Sequence, residues 1–151
     1  MPLLNYTTTI SADKTVAEIQ KKLASHGATA ILCEYDNGRV KALSFRVETP
    51  HGILPFRLPV DYGAVLQVLN RDSKVPRYLQ TEEQAVKVCW RILKDWVEAQ
   101  LAIFETEMVT LEQVFLPYLI IDEGRTLYDR MVSTKFLLGA GASSQNEAKK
   151  T

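Results

Sequence analysis

Ala30-Ile31-Leu32-Cys33, then Asn37-Gly38, then Val40-Lys41-Ala42-Leu43-Ser44-Phe45: this order of segments sets the fold. Asn-Gly accepts the positive φ angles of a two-residue turn, and the flanking apolar runs supply two strands, so the stretch predicts a β-hairpin. A second turn, Thr49-Pro50-His51-Gly52, leads into a third strand that ends near Leu58. Pro59 cannot donate to a sheet ladder, and Asp61 can cap a helix carrying Ala64, Val65, Val68 and Leu69. Residues 27–69 therefore read as a three-stranded antiparallel meander followed by a helix. The meander sets the cations Arg39, Lys41, Arg46 and Arg57 beside its hydrophobes. Strict alternation puts Arg39 and Lys41 on one face and Arg46 on the other.

Upstream, residues 5–10 are Thr-rich and β-branched and predict a strand. Thr15-Val16-Ala17-Glu18 has the form of a capping box opening a helix with Val16, Ile19 and Leu23 at helical spacing. Gly27 is placed to end it. Downstream, residues 70–80 form a polar connector. Thr81-Glu82-Glu83-Gln84 is a second capping box and opens the longest helix, to about residue 107. Two apolar stripes run along it, Ala85, Cys89, Ile92, Trp96, Ala99, Ile103 and Val86, Trp90, Leu93, Val97, Leu101, Phe104. They predict burial on more than one side. A narrow polar stripe of Lys87, Arg91, Lys94 and Glu98 remains. A third box, Thr110-Leu111-Glu112-Gln113, opens a short helix that Pro117 stops. Asp122-Glu123-Gly124 turns the chain into a last helix over 126–136, and a Gly-, Ala-, Ser- and Lys-containing tail over 139–151 offers little to bury. The expected class is α+β: one domain over 1–138, an N-terminal strand and helix, the meander, then helices on one face of the sheet.

The chain has 151 residues, and its 18 basic and 18 acidic residues cancel. A domain of this size buries roughly 68–70% of its unfolded surface and needs no disulfide or metal staple. Zero net charge argues against a strongly basic duplex binder but leaves room for a local basic groove. Cys33 and Cys89 each lie in an apolar run and read as buried free thiols. The N-terminus lacks the basic and apolar regions of a signal peptide, and no run approaches a membrane span, so a cytoplasmic location is expected.

Catalytic signatures are weak. His26 and His51 belong to no Cys/His pair at metal-ligand spacing, and no metal or cofactor is expected. His26 suits a helix C-terminus instead. Cys33 and His51 could meet across the meander with Glu34 or Glu48 as orienting acid, but reactive thiols need an exposed, electropositive setting. Gly139-Ala140-Gly141 precedes no helix and is not a phosphate loop. Trp90 and Trp96 share the helical spacing of the core hydrophobes. The cations carry the remaining weight: Arg71, Lys74 and Arg77 with Tyr78 on the connector, Lys87, Arg91 and Lys94 on the long helix, and Arg46 and Arg57 on the sheet. The connector has the mix of cation and aromatic that single-stranded nucleic acid needs for phosphate neutralisation and stacking.

The stretch Ile19-Gln20-Lys21-Lys22-Leu23-Ala24-Ser25-His26-Gly27, followed by three strands, resembles the start of phage single-strand annealing proteins of the Erf and Rad52 type. Trp90-Arg91-Ile92-Leu93-Lys94-Asp95-Trp96-Val97-Glu98-Ala99-Gln100 is similar to small proteins of phages and mobile elements. The helix–three strands–helix order also resembles a double-stranded RNA-binding domain, without that domain's basic cluster at 61–64. The first likeness implies single-strand DNA binding, self-association as rings or dimers, and a recombination or replication accessory role. The expected function is thus non-enzymatic single-strand nucleic-acid binding. The alternative is a protein-binding adaptor or inhibitor using an apolar helical surface, and a hydrolase or transferase ranks third.

Overall fold

The computed structural model describes residues 1–136. The tail expected over 139–151 lies outside the described residues. The α+β class holds: α1 (Ala12–Ser25), β1 (Ala28–Asp36), β2 (Arg39–Thr49), β3 (Gly52–Arg57), α2 (Tyr62–Arg71), α3 (Glu82–Glu105) and α4 (Leu111–Phe115). A small hairpin, β4 (Ile120–Asp122) with β5 (Arg125–Thr126), and α5 (Leu127–Ser133) complete it.

The N-terminal strand is absent. Residues 1–10 form turns, with Asn5 at φ 65° and the Tyr6 and Thr8 amides donating to Leu3 O and Asn5 O. β-branched composition makes a strand only where a ladder accepts it, and here side chains hold the segment instead. Gln84 Nε2 donates to Tyr6 O at 2.8 Å and to Thr8 O at 2.9 Å, and Asn5 Nδ2 donates to Asp95 Oδ2 at 2.8 Å. Leu3 and Tyr6 pack on a small cluster of Leu69, Val75 and Ala85. The second capping box is consequently half made: Thr81 accepts from the Gln84 amide, while the Gln84 side chain is spent on the N-terminal segment.

The first box is not the start of α1. Ser11 caps the helix, accepting from the Lys14 amide at 3.2 Å. Thr15 lies one turn inside, fully buried, its hydroxyl donating to Ser11 O. Glu18 does not reach back, because Arg91 draws its carboxylate across to α3. The helix ends as expected at Gly27, φ 108°.

Asn37 and Gly38 sit at φ 51° and 79°, both positive as a type I′ hairpin requires. The sheet runs β1-β2-β3, antiparallel throughout. Two bulges break its alternation. Pairing steps from Tyr35↔Val40 to Glu34↔Ala42, leaving Lys41 as an extra residue, and from Ala28↔Val47 to Ala30↔Arg46, leaving Thr29. Strict alternation therefore does not run the length of β2. Arg39 turns to Glu82 at the start of α3, and Lys41 sits in a cleft with Tyr118 and Tyr128.

Leu43, Phe45, Val47, Phe56 and Leu58 point inward to α1, α3 and α4. Phe45, Phe56 and Phe115 stack with centroids 5.3–6.0 Å apart. Trp90 is fully buried, and its Nε1 donates to Tyr62 Oη at 2.6 Å. Tyr62 Oη donates onward to Val40 O, so one hydroxyl joins α2, α3 and β2. Both apolar stripes of α3 are used within the chain. Val86, Trp90, Leu93, Val97 and Leu101 join the main core, Ala85 the smaller cluster, and only Ala99 and Ile103 of the first stripe emerge as exposed. Asp61 caps α2, and Thr110 and Thr126 form complete capping boxes. The hairpin β4–β5 and the bridge Phe56↔Leu119 lie along the free side of β3.

Candidate nucleic-acid interface

The connector carries three exposed cations within seven residues. After α2, the amide of Lys74 is fixed by Asp72 Oδ1, and a 3-10 turn spans Arg77–Leu79. Gln80 Nε2 donates to Val75 O at 3.0 Å, and buried Val75 anchors the loop beneath. Asp72, Val75, Leu79 and Gln80 are drawn in. Arg71, Lys74 and Arg77 are exposed and make no ion pair among the described residues. Tyr78 is 77% exposed.

The long-helix cations behave differently. Arg91 Nη1 lies 2.8 Å from Glu18 Oε2, with its side chain only 14% exposed. Lys94 Nζ lies 2.8 Å from Glu98 Oε1 and is 16% exposed. Lys94, with Lys22 at 3.0 Å behind it, holds the Glu98 carboxyl below its usual range. These side chains join α3 to α1 and are not available to a ligand. Lys87 is half-buried beside Asp13 and Glu83. On the sheet, Arg57 pairs loosely with Glu34 at 3.7 Å, and Arg46 is exposed on the outer face beside Ala30 and Pro55. The predicted residues thus do not form one surface. The connector quartet is exposed along one short segment, and Arg91 and Lys94 are held in ion pairs on α3. A signal for this was present: Glu18, Lys22 and His26 are spaced by four on α1 and meet Arg91, Glu98 and Glu105, spaced by seven on α3.

A second cationic place was missed. Lys41 and Arg57 line a cleft of about 340 Å³ with Tyr118, Thr126, Tyr128 and Asp129. The Thr126 amide holds the Asp129 carboxyl below its usual value, so an anion already faces these cations. The cleft is built by β2, β3 and α5, and no sequence spacing links them.

His26 caps α1. Its Nδ1 lies 2.7 Å from Lys22 O and its Nε2 2.5 Å from Glu105 Oε1. Both partners are acceptors, so only the doubly protonated ring serves both. Glu105 foremost, then the Lys22 carbonyl, raises the His26 pKa above 6.5. The linkage sign follows: the stabilisation is complete below the unfolded-state pKa and fades as pH rises through the raised folded-state value. Thermal melts should show wild type losing stability relative to His26→Asn from pH 6 to pH 8. Parallel pH profiles would contradict this coupling.

Cys33 and His51 are not brought together. Cys33 pairs with Leu43, and His51 sits in the turn beyond Thr49, six residues along β2 or about 20 Å away. Glu34 and Glu48 lie on the outer face. Both thiols are free, but Cys33 is only half-buried and accepts from Gln20 Nε2 at 3.1 Å. Burial pushes the Cys89 thiol up. Cys89 should resist iodoacetamide in the native protein, and Cys89→Ala should cost about 1 kcal/mol. Fast native-state labelling of Cys89, read by mass spectrometry, would contradict that placement. Among the described residues there is no group of three or more potential metal ligands, and no helix is long and apolar enough to cross a membrane.

Compared with family models, curated proteins and solved structures, the chain matches none of them.

Proposed function

We propose that the chain is a non-enzymatic binding protein for single-stranded nucleic acid, acting as an accessory in recombination or replication, with the α2–α3 connector as its contact strip. One observation carries this reading. Arg71, Lys74 and Arg77 stand exposed and free of ion pairs among the described residues, next to an exposed Tyr78, whereas Arg91 and Lys94 are paired with acids. Unpaired cations release condensed counterions on meeting phosphate, and a solvent-facing ring offers a base a stacking platform. Fluorescence anisotropy with a labelled single-stranded oligonucleotide at low salt tests it. Saturable, salt-sensitive binding is expected, and no binding to DNA or RNA overturns it.

A protein-binding adaptor is the second reading. The observation favouring it is apolar exposure on the sheet's outer side, with Leu32 and Ile53 each 61% exposed. It gains if the oligonucleotide titration is flat.

A further inference from the structure

The two edges of the sheet are finished differently. Proline, lysine, bulges and covering segments are the usual guards against strand-to-strand association. β3 carries Pro55 and is flanked by Leu119 through its bridge to Phe56. β1 is nine residues long, and from Ala30 to Glu34 it has no Pro, no Lys and an unbroken register, the two irregularities falling at Thr29 and opposite Lys41. Among the described residues it receives backbone hydrogen bonds from β2 alone. Leu32 stands at its middle, exposed, beside a shallow depression lined by Ala30, Ser44, Arg46, Pro55 and Ile120.

We propose that β1 pairs antiparallel with β1 of a second copy of this chain, Leu32 facing its own counterpart, to make one continuous six-stranded sheet. Ala30 and Glu34 then face each other across the new seam, and Ala30 is already paired with Arg46 on β2. Each Arg46 reaches over a small alanine to the Glu34 carboxylate two strands away. An arginine already spans two strands within the sheet: Arg57 on β3, paired with Ser44, reaches diagonally past small Ala42 on β2 to within 3.7 Å of Glu34 on β1. Moving the seam by two residues one way removes every acid from the Arg46 row, and the other way replaces Glu34 there by Asp36 but sets Leu32 against Glu34, so charge and the Leu32 contact together fix this register. The two Leu32 side chains cover each other, and the seam supplies ladder partners to an unpaired edge.

Light scattering on the full chain at micromolar concentration should give twice the 17.0 kDa chain mass. Leu32→Lys places two ammonium groups face to face and should weaken association at least about tenfold, with an unchanged circular dichroism spectrum. Arg46→Glu should also weaken it, and adding Glu34→Arg should restore it. Should Leu32→Lys fail to fold, Leu32→Cys in a Cys33→Ala background decides. Facing strand residues lie about 4.5–5.5 Å apart at Cα, within disulfide reach, so mild oxidation should yield a covalent dimer that Ile53→Cys does not. A 17.0 kDa wild-type monomer, a dimer indifferent to Leu32→Lys, or an unlinked Leu32→Cys each overturns the proposal.

Discussion

Trp90→Ala is expected to lower the unfolding free energy by about 3–5 kcal/mol, the range for deleting a large buried aromatic. Domains of this kind have about 5–15 kcal/mol in all, so the variant sits near the edge of folding. The indole fills space between α2, α3 and the sheet, and its N–H is satisfied only through Tyr62 Oη. Tyr62→Phe separates the two contributions. It keeps the ring and leaves Trp90 Nε1 and Val40 O without their shared hydroxyl, costing about 1–3 kcal/mol. Burial already pushes the Tyr62 phenol up, as a desolvated hydroxyl should be. Urea titrations followed by tryptophan fluorescence and circular dichroism measure Tyr62→Phe, and circular dichroism alone measures Trp90→Ala. A Trp90→Ala loss no larger than that of a surface change, about 0.5 kcal/mol, would contradict the packing described.

Replacing Arg71, Lys74 and Arg77 together by Ala should flatten the salt dependence of single-strand binding. Each phosphate contact contributes about −0.7 to the log–log slope, so three lost contacts reduce its magnitude by about 2. Extrapolated to a common value near 1 M salt, that slope change means about hundredfold weaker binding at ~0.1 M. Arg77→Ala alone should weaken all sequences alike, and Tyr78→Ala should remove a stacking contribution of about 1–3 kcal/mol. Arg91→Ala is the contrast. It removes the Glu18 bridge to α1, should lower stability by about 1 kcal/mol, and should leave affinity unchanged. Equal loss of binding in Arg91→Ala and in the connector triple variant would move the interface to α3 and sink the connector assignment.

The candidate site was only partly legible. Arg71, Lys74, Arg77 and Tyr78 are close in sequence, and a connector brings neighbours together whatever the rest of the fold does. Arg91 and Lys94 looked equivalent to them because composition does not show which acids lie across a helix interface. Glu18 on α1 answered that for Arg91, whereas the acid that holds Lys94, Glu98, lies four residues along α3 itself and is shared with Lys22 of α1. The Lys41–Arg57–Tyr118–Tyr128 cleft had no local signature at all, since its walls come from segments far apart in the chain.

Sequence alone determined the features that depend on a few adjacent residues. Asn37-Gly38 made the hairpin because both positions tolerate positive φ, Asp61, Thr110 and Thr126 capped their helices, and Gly27 ended α1. The apolar periodicity of α3 was decisive because burial rewards every residue of a stripe at once. Tertiary structure decided the rest wherever one group had two possible partners. Residues 5–10 had strand composition but no ladder to join, and Gln84 took their carbonyls. Thr15 has the form of a cap, but Ser11 caps α1 one turn earlier, and Arg91 claims the glutamate that the Thr15 box needs. Lys41 slipped into a bulge that strict alternation does not anticipate. The first two outcomes turned on a hydrogen bond or ion pair to a residue distant in sequence, and the third on strand pairing, and the spacing within one element records neither.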